Sequence, residues 1–453
     1  MSYPQRLSVR QLLAYAAPTV ALQAMLVPLY NFLPPVYYSK EVGMTAFTVG
    51  FIFAVGRFWE AITDPLIGAL SDRTQSSLGP RRLFMLIGTP IALLSAWFLL
   101  MPPAGASPIY LLFWLIVFYL GWTMVYVPHQ TWGGELSSDY QERTRIAGYR
   151  ESGAFVGYLC ATAAGIFYWI FFKGVVFPSY SQIVQSVGIF FAIALPCAMI
   201  WCFSQVPVVH LKDERTPGWG ELWLILRRNP PFRRLAGAYL IDRLAMGTYF
   251  GVQPILISQA LDLQNHVLTV AIINTLAAVL LAPFWVLIAA RLSKHRAYCL
   301  ANIITAIAYA AMFFLPSGLL WPVLIVNIVM AFGNGGTMIT PPSMTADAVD
   351  ADELNSSVAQ MGGHMAFLAC VFKLGMGLGV FVALAFLTLS GYVDMGQVLT
   401  TEVSRAVRVG ASWLPAFMLL IPIALMWHYP IDRVKHSEIR RLLELRRASQ
   451  VPV

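Results

Sequence analysis

The chain has 453 residues, of which 58% are hydrophobic and 11% charged, and its formal net charge is +8. Soluble globular proteins carry about 25% charged residues, so this composition excludes an ordinary soluble protein and favours one whose outer surface faces lipid. The basic residues lie in short segments between apolar runs, which fits a membrane topology better than a nucleic-acid-binding surface.

Apolar runs long enough to cross a bilayer as helices, about 20 residues each, recur along the chain. They predict an all-α membrane protein with twelve transmembrane helices. The expected spans are residues 11–38, 45–71, 83–102, 108–134, 145–172, 183–205, 233–258, 265–290, 297–315, 320–345, 360–388 and 410–428. The first run has no cleavage site after it, so we expect it to be retained as a helix.

Arginine and lysine concentrate in alternate loops and in the C-terminal tail. By the positive-inside rule both termini are predicted to be cytoplasmic, which requires an even number of spans in a cell (inner) membrane. The predicted organisation is an N-terminal six-helix bundle (1–205), a cytoplasmic middle loop (206–232), a C-terminal six-helix bundle (233–428) and a basic cytoplasmic tail (429–453). An amphipathic segment, Trp219–Leu226, is expected in the middle loop. The tail is either a basic amphipathic helix near anionic lipid or a solvated segment.

The second predicted span contains three ionisable residues, Arg57, Glu60 and Asp64. The two acids are four residues apart, so their carboxylates lie on one helix face. Charged groups within the membrane are costly and usually functional, and two adjacent carboxylates repel each other unless a cation or a proton lies between them. Glu60 and Asp64 are therefore predicted to bind a cation, including Na⁺ through their oxygen atoms. The alternative is an internal ion-pair network with Arg57.

Two further spans carry charge. Lys373 in the eleventh span is expected to face the interior and to pair with Glu60 or Asp64. In the seventh span, Asp242 and Arg243 are adjacent, and their side chains leave the helix about 100° apart. We expect that they do not neutralise each other and that one or both meet a cavity or another helix, unless they lie near the cytoplasmic boundary. Arg243 is a candidate to hold an anionic group.

Candidate substrate contacts are proposed around the end of the fourth span. Tyr126, His129, Gln130 and Trp132 offer the stacking surfaces and hydrogen-bonding groups that line small-molecule cavities. A buried histidine such as His129 is, alternatively, a helix contact. Arg150, near the start of the fifth span, points either inward or to the cytoplasmic headgroups.

Motifs of enzymes and ATP-driven pumps are missing from the sequence. We find no HExxH, G-x-S-x-G or P-loop pattern. Neither catalysis nor a cofactor is expected, apart from a coupling ion, Na⁺ or H⁺.

Several motifs resemble those of a known family. The run from Asp64 to Thr74, followed by Gly79–Arg82, resembles the helix 2–3 signature of the major facilitator superfamily. Trp59–Pro65 is similar, more narrowly, to the glycoside–pentoside–hexuronide:cation symporters, the melibiose-carrier family. The segment from Gly134 to Arg150, the segment from Ala346 to Leu354, and Lys373 extend the resemblance over nearly the whole chain.

The resemblance implies the major facilitator fold, with two six-helix bundles around a central cavity and transport by alternating access. The family's two helix-two acids, which bind Na⁺, Li⁺ or H⁺, match Glu60 and Asp64, and its threonine near the cation matches Thr123. Its helix-eleven lysine and helix-five arginine match Lys373 and Arg150. With Arg57, these two form the predicted coupling network.

One departure concerns the substrate. The melibiose carrier holds its sugar with an acid on the first helix and another on the fourth, whereas the first helix here has no acid and Tyr126 occupies the fourth-helix position. The prediction is symport of a sugar, glycoside or related small organic solute, including anionic ones, with Na⁺ or H⁺. Expected partners are that solute, the cation and the lipid bilayer, without nucleic acid, for a monomeric protein. Alternatives are a carrier of a lysolipid-like amphiphile, an exporter, and a membrane-embedded enzyme or sensor.

Overall fold

The structure is a computed structural model of the chain. It describes residues 6–27, 29, 37–38, 42–74, 76–137, 140–173, 180–208, 227–356, 361–393 and 398–449. Within these ranges the secondary structure is helical, without strands, as the composition predicts. The predicted amphipathic segment Trp219–Leu226 lies outside the described residues.

The chain divides into two compact units, which are described separately. The first unit is Met1–Thr216 with Gly391–Val398, and the second is Pro217–Ser390 with Leu399–Val453. Helices α1 to α6 of the first unit are Val9–Val27, Ala46–Arg73, Pro80–Leu100, Pro108–Glu135, Tyr140–Lys173 and Tyr180–Gln205. Helices α7 to α14 of the second unit are Pro230–Ile255, Val267–Leu292, Lys294–Met312, Leu320–Ser356, Met361–Leu389, Thr401–Ala411, Trp413–Trp427 and Arg433–Ser449.

Most predicted spans coincide with helices to within a few residues, but the described ranges hold fourteen helices and not twelve. Among the described residues, seven segments are long and apolar enough to cross a membrane, or eight if the bent α8 counts as one span. The seven are Ala46–Ser71, Pro80–Leu100, Pro108–Glu135, Ser181–Gln205, Leu320–Leu354, Gly363–Leu389 and Thr401–Trp427. The multi-pass architecture follows from these helices, and the count of twelve spans stays a prediction.

Helix α2 shows why these helices suit a bilayer. Its large apolar side chains at Phe58, Ile62 and Leu66 recur every four residues and are exposed, whereas Arg57 and Glu60 are buried. A helix of a soluble protein has the opposite pattern, with its polar face outward. The exposed apolar face is stable only against lipid, and the buried polar face needs partners within the protein.

Local sequence signals define several helix starts. The hydroxyl oxygen of Thr45 accepts a hydrogen bond from the Thr48 amide at the start of α2, and Ser107, followed by a proline, caps α4 in the same way. The Asn229 side chain accepts from the Phe232 amide at the start of α7. Side-chain caps of this kind satisfy amides that have no partner within the helix.

The two units share one pattern of helix pairing. In the first unit, α1 packs on α5 and α6, and α4 packs on α2 and α3. In the second unit, α7 packs on α11 and α13, and α10 packs on α8 and α9. The helices of the second unit therefore repeat, in chain order, the pairings of the first.

In the described part of the second unit, α7 and α12 end irregularly. After Pro254, α7 ends in a π-helical turn, Leu256–Ala260. The last predicted span, 410–428, begins earlier than expected and is broken at Ser412 between α12 and α13. Hydropathy missed α12 because it is strongly amphipathic. Its Arg408 donates to the carbonyls of Phe313 and Leu315, 3.2 and 2.7 Å away, just after α9 ends.

Candidate functional site

An ion pair lies buried on the inner face of α2. Arg57 Nη1 is 2.6 Å from Glu60 Oε2, and the residues are 3% and 1% exposed. The guanidinium also lies over the Tyr119 ring of α4, 4.7 Å from its centroid. The short separation in sequence, three residues, places both side chains on the same helix face, as predicted. The alternative prediction was an ion pair of Arg57 with an acid, and the structure contains such a pair with Glu60.

The second acid of the pair, Asp64, interacts with α4. The Thr123 hydroxyl donates to Asp64 Oδ1 across 2.8 Å. Thr123 is fully buried, whereas Asp64 is half-buried. The structure therefore brings Thr123 to Asp64, and Thr123 lies one helix turn after Tyr119 on α4.

Close packing of α2 on α4 creates this geometry. A Cβ atom at Gly56 would approach the Tyr119 ring to 2.7 Å and the Leu115 side chain to 2.9 Å. Only glycine leaves room for Tyr119 to lie against α2 at that point. The result is a cluster of oxygen atoms and one guanidinium within the first unit. When all three are ionised, Arg57, Glu60 and Asp64 carry one net negative charge, and carboxylate and hydroxyl oxygens are the ligands that hard cations prefer.

The predicted substrate residues of α4 occupy different environments. His129 is buried, stacks on Tyr15 of α1 with ring centroids 4.5 Å apart, and places Nε2 2.8 Å from the Tyr15 carbonyl oxygen. Trp132 is buried and donates to the Pro207 carbonyl across 3.3 Å. Both are contacts between packed segments of the protein. A contact of this kind was the alternative interpretation of His129. Tyr126 is half-buried and stacks on Trp122, and Gln130 is exposed.

Arg150 of α5 forms an ion pair with its neighbour. Its Nη2 lies 2.6 Å from Glu151 Oε1, and its guanidinium lies near Tyr15 and Tyr126. The side chain of Arg150 is 16% exposed, whereas that of Glu151 is 59% exposed. Arg150 therefore lies beside the aromatic residues of α1 and α4, and the inward direction is favoured over the headgroups.

Of the two expectations for Asp242 and Arg243, contact with another helix is met, but the expectation that they do not neutralise each other was wrong. Arg243 Nη2 lies 2.9 and 3.1 Å from the two carboxylate oxygens of Asp242, so the adjacent residues do neutralise each other. The long arginine side chain folds back across the helix and overcomes the 100° between the two positions. Arg243 is fully buried and also hydrogen-bonds Thr337, and Tyr298 donates to Asp242 across 2.9 Å. These contacts occupy much of the hydrogen-bonding capacity of Arg243, which was expected to hold an anion.

Lys373 lies on α11 in the second unit and is half-buried. Its pairing with Glu60 or Asp64, which belong to the first unit, stays a prediction. The α11 segment that follows Lys373 packs closely on α7. A Cβ at Gly379 would overlap the Leu244 carbonyl oxygen, and one at Gly247 would overlap the Met376 carbonyl oxygen. Glycines four apart on both helices permit this approach.

Sequence reasoning missed Tyr119, Tyr298 and Thr337. Tyr119 precedes Thr123 by one helix turn, so the two share a face. Similarly, Asn334 and Thr337 stand three apart in an apolar helix, and the Thr337 hydroxyl donates to the Asn334 carbonyl across 3.2 Å. Polar residues at helical spacing within apolar runs were the available signal.

Comparison with known proteins gives a consistent result. The family described as MFS/sugar transport protein matches residues 14–433. The glucuronide carrier protein homolog of Escherichia coli (strain K12) is 24% identical, over 89% of this chain and 88% of that protein. The sodium-dependent lysophosphatidylcholine symporter 1-B of Danio rerio is also 24% identical, over 98% of this chain and 91% of that protein.

A solved structure supports the fold. The crystal structure of the nucleoside transporter NupG aligns with a TM-score of 0.64 at 10% sequence identity, covering 93% of this chain and 100% of that one. At this identity the likeness concerns the backbone fold alone. The family match and this likeness together give the all-α chain the major facilitator fold.

Proposed function

Since the chain belongs to the MFS/sugar transport protein family, we propose that it is a cation-coupled symporter, without catalytic activity, that carries a sugar, glycoside or related small organic solute. The proposed solutes include anionic ones. Transport proceeds by alternating access through twelve spans in a cell (inner) membrane, with both termini cytoplasmic. The proposed partners are the solute, the cation and the bilayer, and the protein works as a monomer.

The observation that carries this proposal is the cluster of Arg57, Glu60, Asp64 and Thr123 where α2 packs on α4. Carboxylates within a membrane span are costly and usually functional. Asp64 and Thr123 offer oxygen atoms 2.8 Å apart, and Asp64 is half-buried. Na⁺ or H⁺ binding at Asp64 and Glu60 therefore lowers the electrostatic cost of the loaded carrier.

Arg57 and Thr123 have different roles in this proposal. Arg57 pairs with Glu60 at a distance of 2.6 Å. Thr123 orients Asp64 through its hydrogen bond. Lys373 and Arg150 complete the proposed coupling network. The proposed solute contacts are Tyr126, His129, Gln130, Trp132, Asp242 and Arg243, of which Tyr126 beside Arg150 has the best support.

The test is uptake of a labelled glucuronide into proteoliposomes with imposed Na⁺ or H⁺ gradients. Accumulation above equilibrium should require one of the gradients. Asp64→Asn and Glu60→Gln should each abolish accumulation, because each removes a negative charge from the cluster. The exposed acid Glu402 supplies the control Glu402→Gln, which should transport normally. Retained accumulation in both cluster variants would refute the cation site.

A second candidate function is transport of a lysolipid-like amphiphile. It is favoured by the zebrafish relative, whose match covers 98% of this chain against 89% for the glucuronide carrier homolog. The same proteoliposomes distinguish the two. If the protein carries an amphiphile, lysophosphatidylcholine should be transported in a Na⁺-dependent manner and the glucuronide should not be transported. Outward flux under a reversed gradient would favour an exporter.

A further inference from the structure

The C-terminal helix α14, Arg433–Ser449, is docked against the second unit by one face. Ile439 and Leu443 are buried in a cluster with Phe232 of α7 and Met344 of α10. Arg433 Nη1 donates to the Ala290 carbonyl at the end of α8 across 3.3 Å. Because this face is packed against the protein, α14 is not the solvated segment that was the alternative prediction.

Ionic contacts fix the rotation of α14 about its axis. His436 Nε2 lies 3.0 Å from Asp350 Oδ2 and 3.3 Å from Asp347 Oδ1, both on α10. One turn later, Arg440 Nη1 is 3.7 Å from the same Asp350 oxygen. His436 and Arg440 stand beside the buried Ile439, so the opposite side of the helix must point away from the protein.

That opposite side carries apolar residues. Val434 is 77% exposed, Leu442 43% and Leu445 57%. At 100° per residue, these three positions form one strip about 80° wide, in which Val434 and Leu445 point about 120–140° away from Ile439 and Leu442 lies nearer to it. The strip is flanked by Lys435 and Arg441, both exposed. Apolar residues beside basic ones are typical of helices that lie in the membrane interface.

The position of α14 places this strip near the bilayer. The apolar helix α13 ends at Trp427, which is 56% exposed, and tryptophan is enriched at membrane interfaces. Only residues 428–432 separate it from α14, a link of about 18 Å at full extension. The helix contains six arginine or lysine residues and two glutamates, so it favours a negatively charged surface.

We propose that the outer face of α14 (Val434, Lys435, Arg441, Leu442 and Leu445) binds the surface of the adjacent membrane leaflet through its anionic lipid headgroups. The three apolar side chains enter the interface, and the two basic side chains meet lipid phosphates. Glu438 lies within this face and weakens the attraction. The helix is thus held between the second unit and the membrane.

The experiment uses the full chain in lipid nanodiscs made of phosphatidylcholine, alone or mixed with phosphatidylglycerol. Hydrogen exchange at the amides of α14 should be several-fold slower in the mixed lipid, and high salt should reduce the difference. The double substitution Leu442→Glu and Leu445→Glu should abolish the difference in exchange between the two lipids, whereas Glu438→Lys should increase that difference. Equal exchange in the two lipids for the unmodified chain would overturn the proposal.

A second measurement addresses orientation directly. Spin labels are attached at Leu445→Cys and, as a control outside the face, at Ser437→Cys, in a chain whose natural cysteines are replaced by alanine. The label at 445 should be more accessible to oxygen, which partitions into lipid, and the label at 437 to a water-soluble nickel complex. The reverse order would show that α14 faces water or another protein there.

Discussion

The Arg57–Glu60 pair illustrates what burial demands of a single residue. Both side chains are almost inaccessible, and removing one partner of a buried pair leaves an uncompensated charge, at a cost of about 3–5 kcal/mol. We therefore expect Glu60→Gln to lower the melting temperature of the purified protein. The double variant Arg57→Gln with Glu60→Gln should recover part of the loss. A melting temperature unchanged by the single substitution would show that Arg57 has a sufficient second partner.

Thr123 tests the cation site without removing a charge. Thr123→Val keeps the shape of the side chain and removes the hydrogen bond to Asp64. Hydrogen bonds to charged groups contribute about 1.5–3 kcal/mol, so the concentration of coupling ion for half-maximal uptake should change by roughly 10- to 100-fold.

Thr89→Val is the matched control for this substitution. Thr89 is also a threonine of the first unit, but its hydroxyl bonds only the Met85 carbonyl of its own helix turn in the described contacts. In Thr89→Val, the concentration of coupling ion for half-maximal uptake should not change. Equal effects at the two positions would indicate general loss of stability and not a role at the cation site.

Tyr298 stabilises the Asp242–Arg243 pair through one hydroxyl group. Tyr298→Phe leaves a buried carboxylate with one donor fewer, and we expect a cost of about 1–3 kcal/mol in the free energy of unfolding. Tyr239→Phe is the control, since its ring lies 4.9 Å from the same guanidinium and is kept. Chemical denaturation of both variants should rank Tyr298→Phe as the less stable one.

At the scale of elements, the α7–α11 contact depends on glycine residues, whose lack of a side chain lets the two backbones approach. Gly247→Ala would push its methyl group into the Met376 carbonyl oxygen, so the two helices must separate. We expect a cost of about 1–3 kcal/mol from overpacking.

The control for this substitution is on the same helix. A Cβ at Gly237 meets nothing within 4 Å, and alanine is the better helix former by about 1 kcal/mol. Gly237→Ala should thus be neutral or stabilising in thermal unfolding. Similar destabilisation by both substitutions would argue against the close contact.

The helices were predictable from the sequence because each span is a long apolar run, and the shared face of Glu60 and Asp64 follows from their spacing. The partners of these residues were harder to predict. Tyr119 and Thr123 meet α2 only because Gly56 allows α4 to approach. The Asp242–Arg243 contact depends on the rotamer of a long side chain, which helical periodicity does not specify. The role of Arg408 was not predictable because it satisfies backbone carbonyls that follow α9, far away in the sequence.

At the scale of the whole molecule, the repeated helix pairings of the two units support twelve spans, with α12 and α13 as one broken span. The prediction is that the 74–79 loop and the C-terminal helix lie on the cytoplasmic side and the 101–107 loop on the other. In a chain whose natural cysteines are replaced, Ala104→Cys should react with an impermeant thiol reagent on intact cells. Ser77→Cys and Ser449→Cys should react only after permeabilisation. Labelling of residue 449 from outside, with residue 77 still protected, would require an odd number of spans.

The π-helical turn at Leu256–Ala260 affects how this chain is compared with other proteins. Such a turn holds one more residue than an α-helical turn, and because it is the last turn of α7, the chain leaves the helix one residue later than it would after an α-helical turn. A protein without the extra residue aligns correctly on both sides only when a one-position gap is placed within the turn. An ungapped alignment would assign every later residue of this segment to its neighbour's position.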